Sequence, residues 1–413
     1  MDISLTNDQQ FVFEKIMGRL GYKQSSTKFS PDFKYITVGG YAGTGKTFLI
    51  SIIRKEIFNH NKSLSVAFVT FTGKASSVLK IKLTENDSVF NHDYCGTIHS
   101  LIYKPELKYD KNLKRMVVFK WIKKEKLDFD LIFLDEASMV NKQLWEDLIG
   151  YKIPIIAVGD HGQLPPVGDQ FNLIENPLYK LTEIKRQALD NPIIRLSQDV
   201  RTGKEIQYGF YDNNNKNVFK LSWNSIECKN IFNNLNYLDD DMIILCGLNK
   251  TRASINKMIR QKLCFNNVEP YPGERVVFLK NNYESGVLNG ILGKVLFFTY
   301  EAKSIYNLSV LIDGYKDPYS GLVSDICFGK EQYDVMIDFH DKKIKKVIKN
   351  SKFGTIDLCD WGYSISTHKS QGSEFKKVVC FVERSYYWDD EYMKKWLYTA
   401  VTRAKEKLFI ITP

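Results

Sequence analysis

The stretch Gly39-Gly40-Tyr41-Ala42-Gly43-Thr44-Gly45-Lys46-Thr47 holds the densest potential chemistry in the chain. From Gly40 to Thr47 it fits the spacing Gly-x4-Gly-Lys-[Ser/Thr] of a phosphate-cradling loop. Gly40, Ala42, Gly43, Thr44 and Gly45 would turn backbone N–H groups onto phosphate oxygens, and a helix starting there would add its positive end. Lys46 would neutralise the β- and γ-phosphates, and the Thr47 hydroxyl would hold Mg²⁺. An ordinary Gly-rich turn is the competing reading, and the flanks decide against it. A β-rich run, Tyr35 to Val38, comes just before, and an apolar run of helical period, Phe48 to Phe58, comes just after. The ligands implied are a nucleoside triphosphate and Mg²⁺.

Two further groups fit the same chemistry. Leu131-Ile132-Phe133-Leu134 is an apolar run that ends in Asp135-Glu136. Asp135 would reach the Mg²⁺, and Glu136 would polarise the attacking water. Ile155 to Val158 is a second such run, and it delivers Gly159-Asp160-His161-Gly162-Gln163. Gln163 stands where a γ-phosphate could be sensed. Leu181-Thr182-Glu183-Ile184-Lys185-Arg186 ends the first half, with Arg186 a candidate for stabilising transition-state charge. Near the start, Thr6 and Gln9 have the spacing of a capping box. The Gln9 amide equally matches the donor–acceptor edge of adenine.

These residues need a scaffold. Apolar runs alternate with helix-periodic runs through both ends of the chain, the pattern of a parallel sheet whose loops at the strand ends carry function. At 413 residues, two to four domains are expected. Residues 103–126 break the rhythm, with nine Lys or Arg against three acids. Two strand-like runs flank the turn Asp110-Lys111-Asn112, so a β-hairpin is expected. Its basic residues, interleaved with Tyr109, Phe119 and Trp121, suit stacked bases beside a phosphate track; a solvated edge that blocks aggregation is the bland reading. Residues 203–240 are Asn-rich and read as loop. Residues 270–355 read as a small inserted barrel, framed by Lys342-Lys343-Ile344-Lys345-Lys346.

Net charge is +10, which suits a polyanionic partner. The seven cysteines include no Cys-x-x-Cys pair, against a zinc site or a disulfide framework and for a reducing compartment. No apolar run reaches membrane-spanning length, and the N-terminus lacks a basic-then-apolar leader. A cytoplasmic protein, in host cytoplasm if phage-encoded, is the expectation.

Taken in order, the phosphate loop, Thr70-Phe71-Thr72-Gly73-Lys74-Ala75, Thr97-Ile98-His99-Ser100, Asp135-Glu136, Gly159 to Val167, Leu181 to Arg186, Thr367-His368-Lys369-Ser370-Gln371-Gly372 and Tyr398-Thr399-Ala400-Val401-Thr402-Arg403-Ala404 resemble a superfamily 1 helicase. The similarity is to the RecD/Dda-like branch, superfamily 1B, with size and compactness nearest the phage Dda-type helicases. The resemblance implies an α/β fold of two RecA-like parallel-sheet domains, 1A over 1–95 and 128–190 and 2A over 191–268 and 356–413. It implies a pin hairpin, 1B, over 96–127, with Phe119 or Trp121 as the strand-separating wedge, and a small barrel, 2B, over 269–355. It further implies adenine reading by Gln9, nucleotide contact by Gly372 and Glu374, and arginine fingers at Arg186 and Arg403. Strand contacts would fall to Thr72, Lys74, Thr97, His99, Thr367, His368 and Lys369. Phe71 departs from the pattern, because the family usually has Pro there.

The activity implied is an ATP-dependent DNA helicase moving 5′→3′ on single-stranded DNA, in replication, recombination or repair. Its partners would be single strands and duplex junctions, with a single-strand-binding protein or replisome or recombination proteins beside them, and it would act as a monomer. Two other readings stay open: a translocase on DNA or RNA that displaces proteins, and a nucleotide-gated strand-binding subunit of a recombination complex. The pairing of Asp135 with Glu136 disfavours the last, since a pure binder needs no acid to orient water.

Overall fold

A computed structural model describes residues 5–22, 29–110, 115–165, 171–184, 190–210, 217–280, 282, 285, 287, 289–313, 318–333, 342–351 and 355–413, with backbone alone for residues 74, 105, 107–110, 115–121 and 210. The chain divides into two compact units: residues 1–104 with 122–204, and residues 205–413 with 105–121.

The first unit opens with α1 (Asn7–Arg19), whose entry is fixed by a capping box. The Thr6 hydroxyl accepts from the Gln9 N–H, and the Gln9 Oε1 accepts from the Thr6 N–H. There follow β1 (Tyr35–Gly40), α2 (Lys46–His60), β2 (Val66–Thr70), α3 (Gly73–Glu85), β3 (Tyr94–Thr97) and α4 (Ile98–Ile102). A two-stranded sheet, β4 (Tyr103–Asp110) with β5 (Arg115–Lys123), interrupts. Then come β6 (Leu131–Leu134), α5 (Lys142–Ile149), β7 (Ile155–Gly159), β8 (Tyr179–Leu181) and α6 (Pro192–Thr202). The sheet order is β3-β2-β6-β7-β1-β8, with every neighbouring pair parallel. All the carboxyl ends therefore lie along one edge.

Parallel strands covered on both faces need apolar residues at successive positions. Strand β2 shows how they are used: Val66 and Phe68 enter one core with Ile16, Leu49 and Ile53, while Ala67 and Val69 enter the other with Ile98, Val140 and Leu148. The side chains alternate, so a continuous apolar run feeds two cores.

The second unit comprises β9 (Gly209–Phe210), β10 (Val218–Ser222), α7 (Ile226–Asn234), β11 (Met242–Cys246), α8 (Asn249–Lys262), β12 (Arg275–Phe278), β13 (Leu292–Ala302), β14 (Ile305–Ile312), β15 (Tyr319–Ser324), α9 (Lys342–Asn350), β16 (Ile356–Trp361), β17 (Ser364–Ser366), β18 (Phe375–Phe381), α10 (Asp390–Val401) and β19 (Ala404–Thr412). Its sheet order is β17-β11-β18-β19-β10-β9, parallel except for β9 against β10. Strands β12 to β16 close a barrel, whose last strand reaches Trp361, beyond the 355 expected from the sequence.

The architecture is the α/β fold the sequence implies: two parallel sheets, an inserted two-stranded ribbon and an inserted barrel. The 203–240 stretch differs from its reading as loop. It contains β9, β10 and α7, because Phe219, Cys228 and Phe232 supply enough apolar surface to enter the core among polar neighbours. Helix α9 differs as well, since a helix stands where only a lysine-rich frame was expected. Among the described residues no helix is long and apolar enough to cross a membrane.

Candidate nucleotide and nucleic-acid sites

Strand β1 ends in Gly39-Gly40 and the chain turns at once into the loop. A Cβ on Gly40 would stand 2.6 Å from the Thr44 hydroxyl oxygen, so only glycine lets the loop close this tightly. Gly45 holds φ of +77° as the N-cap of α2, a conformation glycine adopts without strain. Thr44 donates from its hydroxyl to the Tyr41 carbonyl at 2.8 Å, and the Lys46 ammonium donates to the carbonyls of Gly40 (2.9 Å) and Tyr41 (3.1 Å). Lys46 thus lies folded against its own loop.

Asp135 leaves the end of β6 and is buried. Burial pushes its carboxyl above the usual carboxylate range, while the Glu136 N–H, the charges of Lys46 and Lys82, and a hydrogen bond with the Thr47 side chain pull it back down. Lys46, Thr47 and Asp135 therefore converge, as their residue types require. Glu136 sits at φ +54°, a left-handed conformation uncommon for a non-glycine residue. Gln163 is buried, with its Nε2 3.5 Å from the Asp160 carboxylate; its buried Oε1 has no partner among the described residues.

Gln9 forms the capping box and also reaches the phosphate loop. It is wholly buried, closes the capping box with Oε1, and donates from Nε2 to the Thr44 carbonyl at 2.7 Å. The amide joins the first helix directly to the phosphate loop.

At the carboxyl ends of β2 and β3 the expected strand contacts start helices. The Thr72 hydroxyl caps α3 by accepting from the Ala75 N–H, and Thr97 caps α4 with Ser100 reciprocating. His99 stands in the first turn of α4 with its ring 4.6 Å from that of Tyr103, and burial holds its imidazole below the usual range. Phe71 is 37% exposed, so it faces outward and does not pack in the core. Arg186 and the side chains of Lys74, Phe119 and Trp121 lie outside the described residues.

In the second unit Thr367, His368 and Lys369 form the 3₁₀ turn that follows β17. The Thr367 hydroxyl donates to the Cys246 carbonyl at 3.4 Å, and the His368 Nε2 lies 3.0 Å from the Tyr392 hydroxyl. Burial keeps His368 below the usual imidazole range. Burial, with the Arg252 charge second, brings Lys369 down to about 8. Gly372 has φ of +69°, and Glu374 pairs with Lys405 at 3.0 Å. Arg403 is buried and donates to the carbonyls of Thr399 and Ser373 at 3.1 Å each and to the Thr402 hydroxyl at 3.2 Å.

Three features escaped the sequence reading. The Arg201 guanidinium lies 3.5 Å from the centre of the Tyr41 ring, and the His161 ring lies 4.1 Å away. Lys82 contributes charge to Asp135 from α3. Glu383 accepts from the N–H groups of Gly247 and Leu248 at 2.8 and 3.1 Å, and from the Thr251 hydroxyl, so it braces the entry to α8 from a remote loop. Nothing in the spacing of residues so far apart could have paired them.

A family model described as an AAA domain matches residues 27–169, and one described as a UvrD-like helicase C-terminal domain matches residues 362–411. The chain is 26% identical to the ATP-dependent DNA helicase Pif1 of Campylobacter jejuni, over 89% of this chain and 86% of that one. It is 23% identical to the ATP-dependent DNA helicase dda of Enterobacteria phage T4, over 98% of this chain and 99% of that one. In fold it resembles a crystal structure of Pif1 helicase from Bacteroides in complex with ADP-AlF3 and ssDNA, with a TM-score of 0.52 and 17% identity, covering 100% of this chain and 92% of that one.

Proposed function

We infer that this chain, which belongs to the superfamily 1B helicases of RecD/Dda/Pif1 type, hydrolyses ATP to separate DNA strands while moving 5′→3′ along one of them. The observation that carries this is the convergence of Lys46, Thr47 and buried Asp135 at the mouth of the phosphate loop. Burial still raises the Asp135 carboxyl despite these partners, so part of the cost of holding it charged stays uncompensated until a cation binds beside it.

The roles follow from the chemistry of each group. Lys46 exchanges the Gly40 and Tyr41 carbonyls for phosphate oxygens, a stronger charge-assisted bond. Thr47 and Asp135 offer two hard oxygen ligands, and among the described residues no three His, Cys, Asp or Glu cluster as a metal site. That donor set fits Mg²⁺, which takes one or two carboxylates and fills the rest from water and phosphate. Bound there, the ion would neutralise charge developing on the β- and γ-phosphates. Glu136 orients the attacking water, and the unpartnered Gln163 oxygen accepts from a water or ligand donor beside it. Gln9 trades the Thr44 carbonyl for the adenine edge, while Gly372 and Glu374 contact the nucleotide. Arg186 and Arg403 act as late-arriving fingers, a device that contributes ~10³–10⁵ in rate. Among the described residues Arg403 bonds only neutral oxygens, so a phosphate can displace them.

Thr72, Lys74, Thr97 and His99 in one unit, and Thr367, His368 and Lys369 in the other, grip the single strand. The β4–β5 ribbon, with Phe119 or Trp121 at its wedge, meets the duplex junction. Separating one stacked base-pair step costs about 1.4 kcal/mol, which one ATP covers several times over. The test is unwinding of two tailed duplexes, one with a 5′ and one with a 3′ overhang, with ATP. Strand release from the 5′-tailed substrate alone is expected. Release from the 3′-tailed substrate alone would reverse the polarity, and release from neither would leave a translocase that does not unwind.

A further inference from the structure

Helix α9 spans only Lys342–Asn350, yet Lys342, Lys343, Lys345, Lys346 and Lys349 are all exposed on it and no acid interrupts them. Its apolar positions are spent on the barrel: Ile344 and Ile348 are buried with Ala302, Ile305 and Leu322. Lysines at three- and four-residue spacing repel one another, and two of them stand in the first turn, where the helix dipole is already positive. Among the described residues Lys342, Lys345, Lys346 and Lys349 form no ion pair. Beside the helix a cavity of about 460 Å³ is lined by Lys343, Lys346, Asn307, Ser320 and Ser351, with Glu301 its one carboxylate among the described residues. These side chains offer ammonium, amide and hydroxyl donors, and among the described residues no aromatic ring lines the cavity.

We propose that α9 and this cavity form a second nucleic-acid contact, a sequence-independent track for a sugar–phosphate backbone carried on the barrel. The proposal rests on the DNA-helicase reading above. Five charges along about 13 Å of helix axis come to roughly one per 2.6 Å. That density falls between the one per ~1.7 Å of duplex DNA and the one per ~3.4 Å of a single strand. A polyanion converts the mutual repulsion of the lysines into attraction, and the donors at the cavity wall bond a phosphate oxygen without reading a base. None of these residues belongs to the nucleotide site or to the strand-gripping loops.

The experiment uses the full chain carrying Lys342→Gln, Lys345→Gln, Lys346→Gln and Lys349→Gln, which keeps good helix formers at every position. Affinity for a single-stranded oligonucleotide, a blunt duplex and a fork is followed by fluorescence anisotropy across a salt series. On the substrate that uses the track, the slope of log affinity against log salt should shrink by about 0.9 for each duplex phosphate no longer neutralised, or about 0.7 for each single-strand phosphate. Affinity there at 0.1 M salt should fall about tenfold or more. The substrate that loses affinity identifies the strand bound. The matching Lys→Arg variant should keep both slope and affinity. ATPase activity at saturating single strand should be unchanged, and the melting temperature of the Gln variant should hold or rise as repulsion is relieved. Unchanged slopes on all three DNAs, with wild type binding them, would overturn the proposal and make α9 a solvated face. A lowered melting temperature with an equal fall in affinity on every DNA would do so too, by making the lysines structural. Wild type binding no DNA at all would instead fail the helicase reading itself.

Discussion

The two parallel sheets share a plan and differ in what they place on it. In the first the order is β3-β2-β6-β7-β1-β8, and in the second β17-β11-β18-β19-β10-β9. Position for position, β10 stands where β1 stands. After β1 the chain enters Gly39 to Thr47; after β10 it enters Trp223-Asn224-Ser225, and Ser225 caps α7 with its hydroxyl. The same place in the same kind of sheet thus ends once in a glycine loop with a lysine and once in an ordinary capped helix. Fold supplies the position, and the glycines supply phosphate binding. The edge strands agree instead of differing. Strand β3 delivers Thr97-Ile98-His99-Ser100, and β17 delivers Thr367-His368-Lys369-Ser370. Each unit therefore presents a threonine and a histidine at the carboxyl end of its corresponding edge strand, although only one unit carries the phosphate loop.

The sharpest way to break this contrast is Lys46→Ala. If nucleotide chemistry belongs to the β1 position alone, strand-stimulated ATPase should fall by about 10³-fold or more, while single-strand affinity without nucleotide stays within about twofold. Hydrolysis that survives the substitution would mean the loop is not where the phosphates bind.

A smaller effect separates the two edges by pH. Lys369 has no counterpart in the Thr97 loop, and burial with the nearby Arg252 charge holds it at about 8, against opposing pulls from Asp360 and Cys327. It is charged below that pH and neutral above. Single-strand affinity should therefore fall about tenfold between pH 7 and 9, and Lys369→Arg, which stays charged, should flatten the profile. The stability contribution has the opposite sense. Between about 8 and 10.5 the unfolded chain binds a proton that the folded chain has shed, so this residue's share of folding stability rises with pH across that window. A pH profile identical in wild type and Lys369→Arg would remove Lys369 from the grip.

Much of this was legible in the sequence where function demands local spacing. The loop from Gly40 to Thr47, Asp135 at a strand end and the Thr-His-Ser runs are contiguous, and their flanking apolar runs betray the elements that hold them. What stayed hidden depends on contacts across the chain. Strand β10 is short, and its neighbours are Asn-rich, so burial by β19 makes it a strand. Helix α9 has only Ile344, Val347 and Ile348 as apolar residues among its lysines, and the barrel core determines their use. The Arg201–Tyr41–His161 contacts and the Glu383 hydrogen bonds join residues with no shared spacing. Even Gln9, read with two roles in view, required the structure to reveal its bond to Thr44.

The equivalence of the two edges can be tested directly through their histidines. His99 and His368 are both held below the usual imidazole range by burial, so both are neutral near pH 7, and in the proposed grip each would supply one hydrogen bond or stacking contact and no charge. Replacing either with Ala should cost about fivefold in single-strand affinity, the scale of one net hydrogen bond. The two lie in separate units and share no partner among the described residues, so in any one nucleotide state the double variant should multiply the two effects. The informative measurement is the nucleotide dependence. If the units grip in alternation, His99→Ala should cost more in one nucleotide state and His368→Ala more in the other, comparing nucleotide-free protein with protein saturated by a non-hydrolysable ATP analogue. Costs that are equal for both variants in both states would mean the edges hold the strand together throughout the cycle. Matched threonines and histidines on matched strands would then be a relic of shared architecture, with no part in stepping.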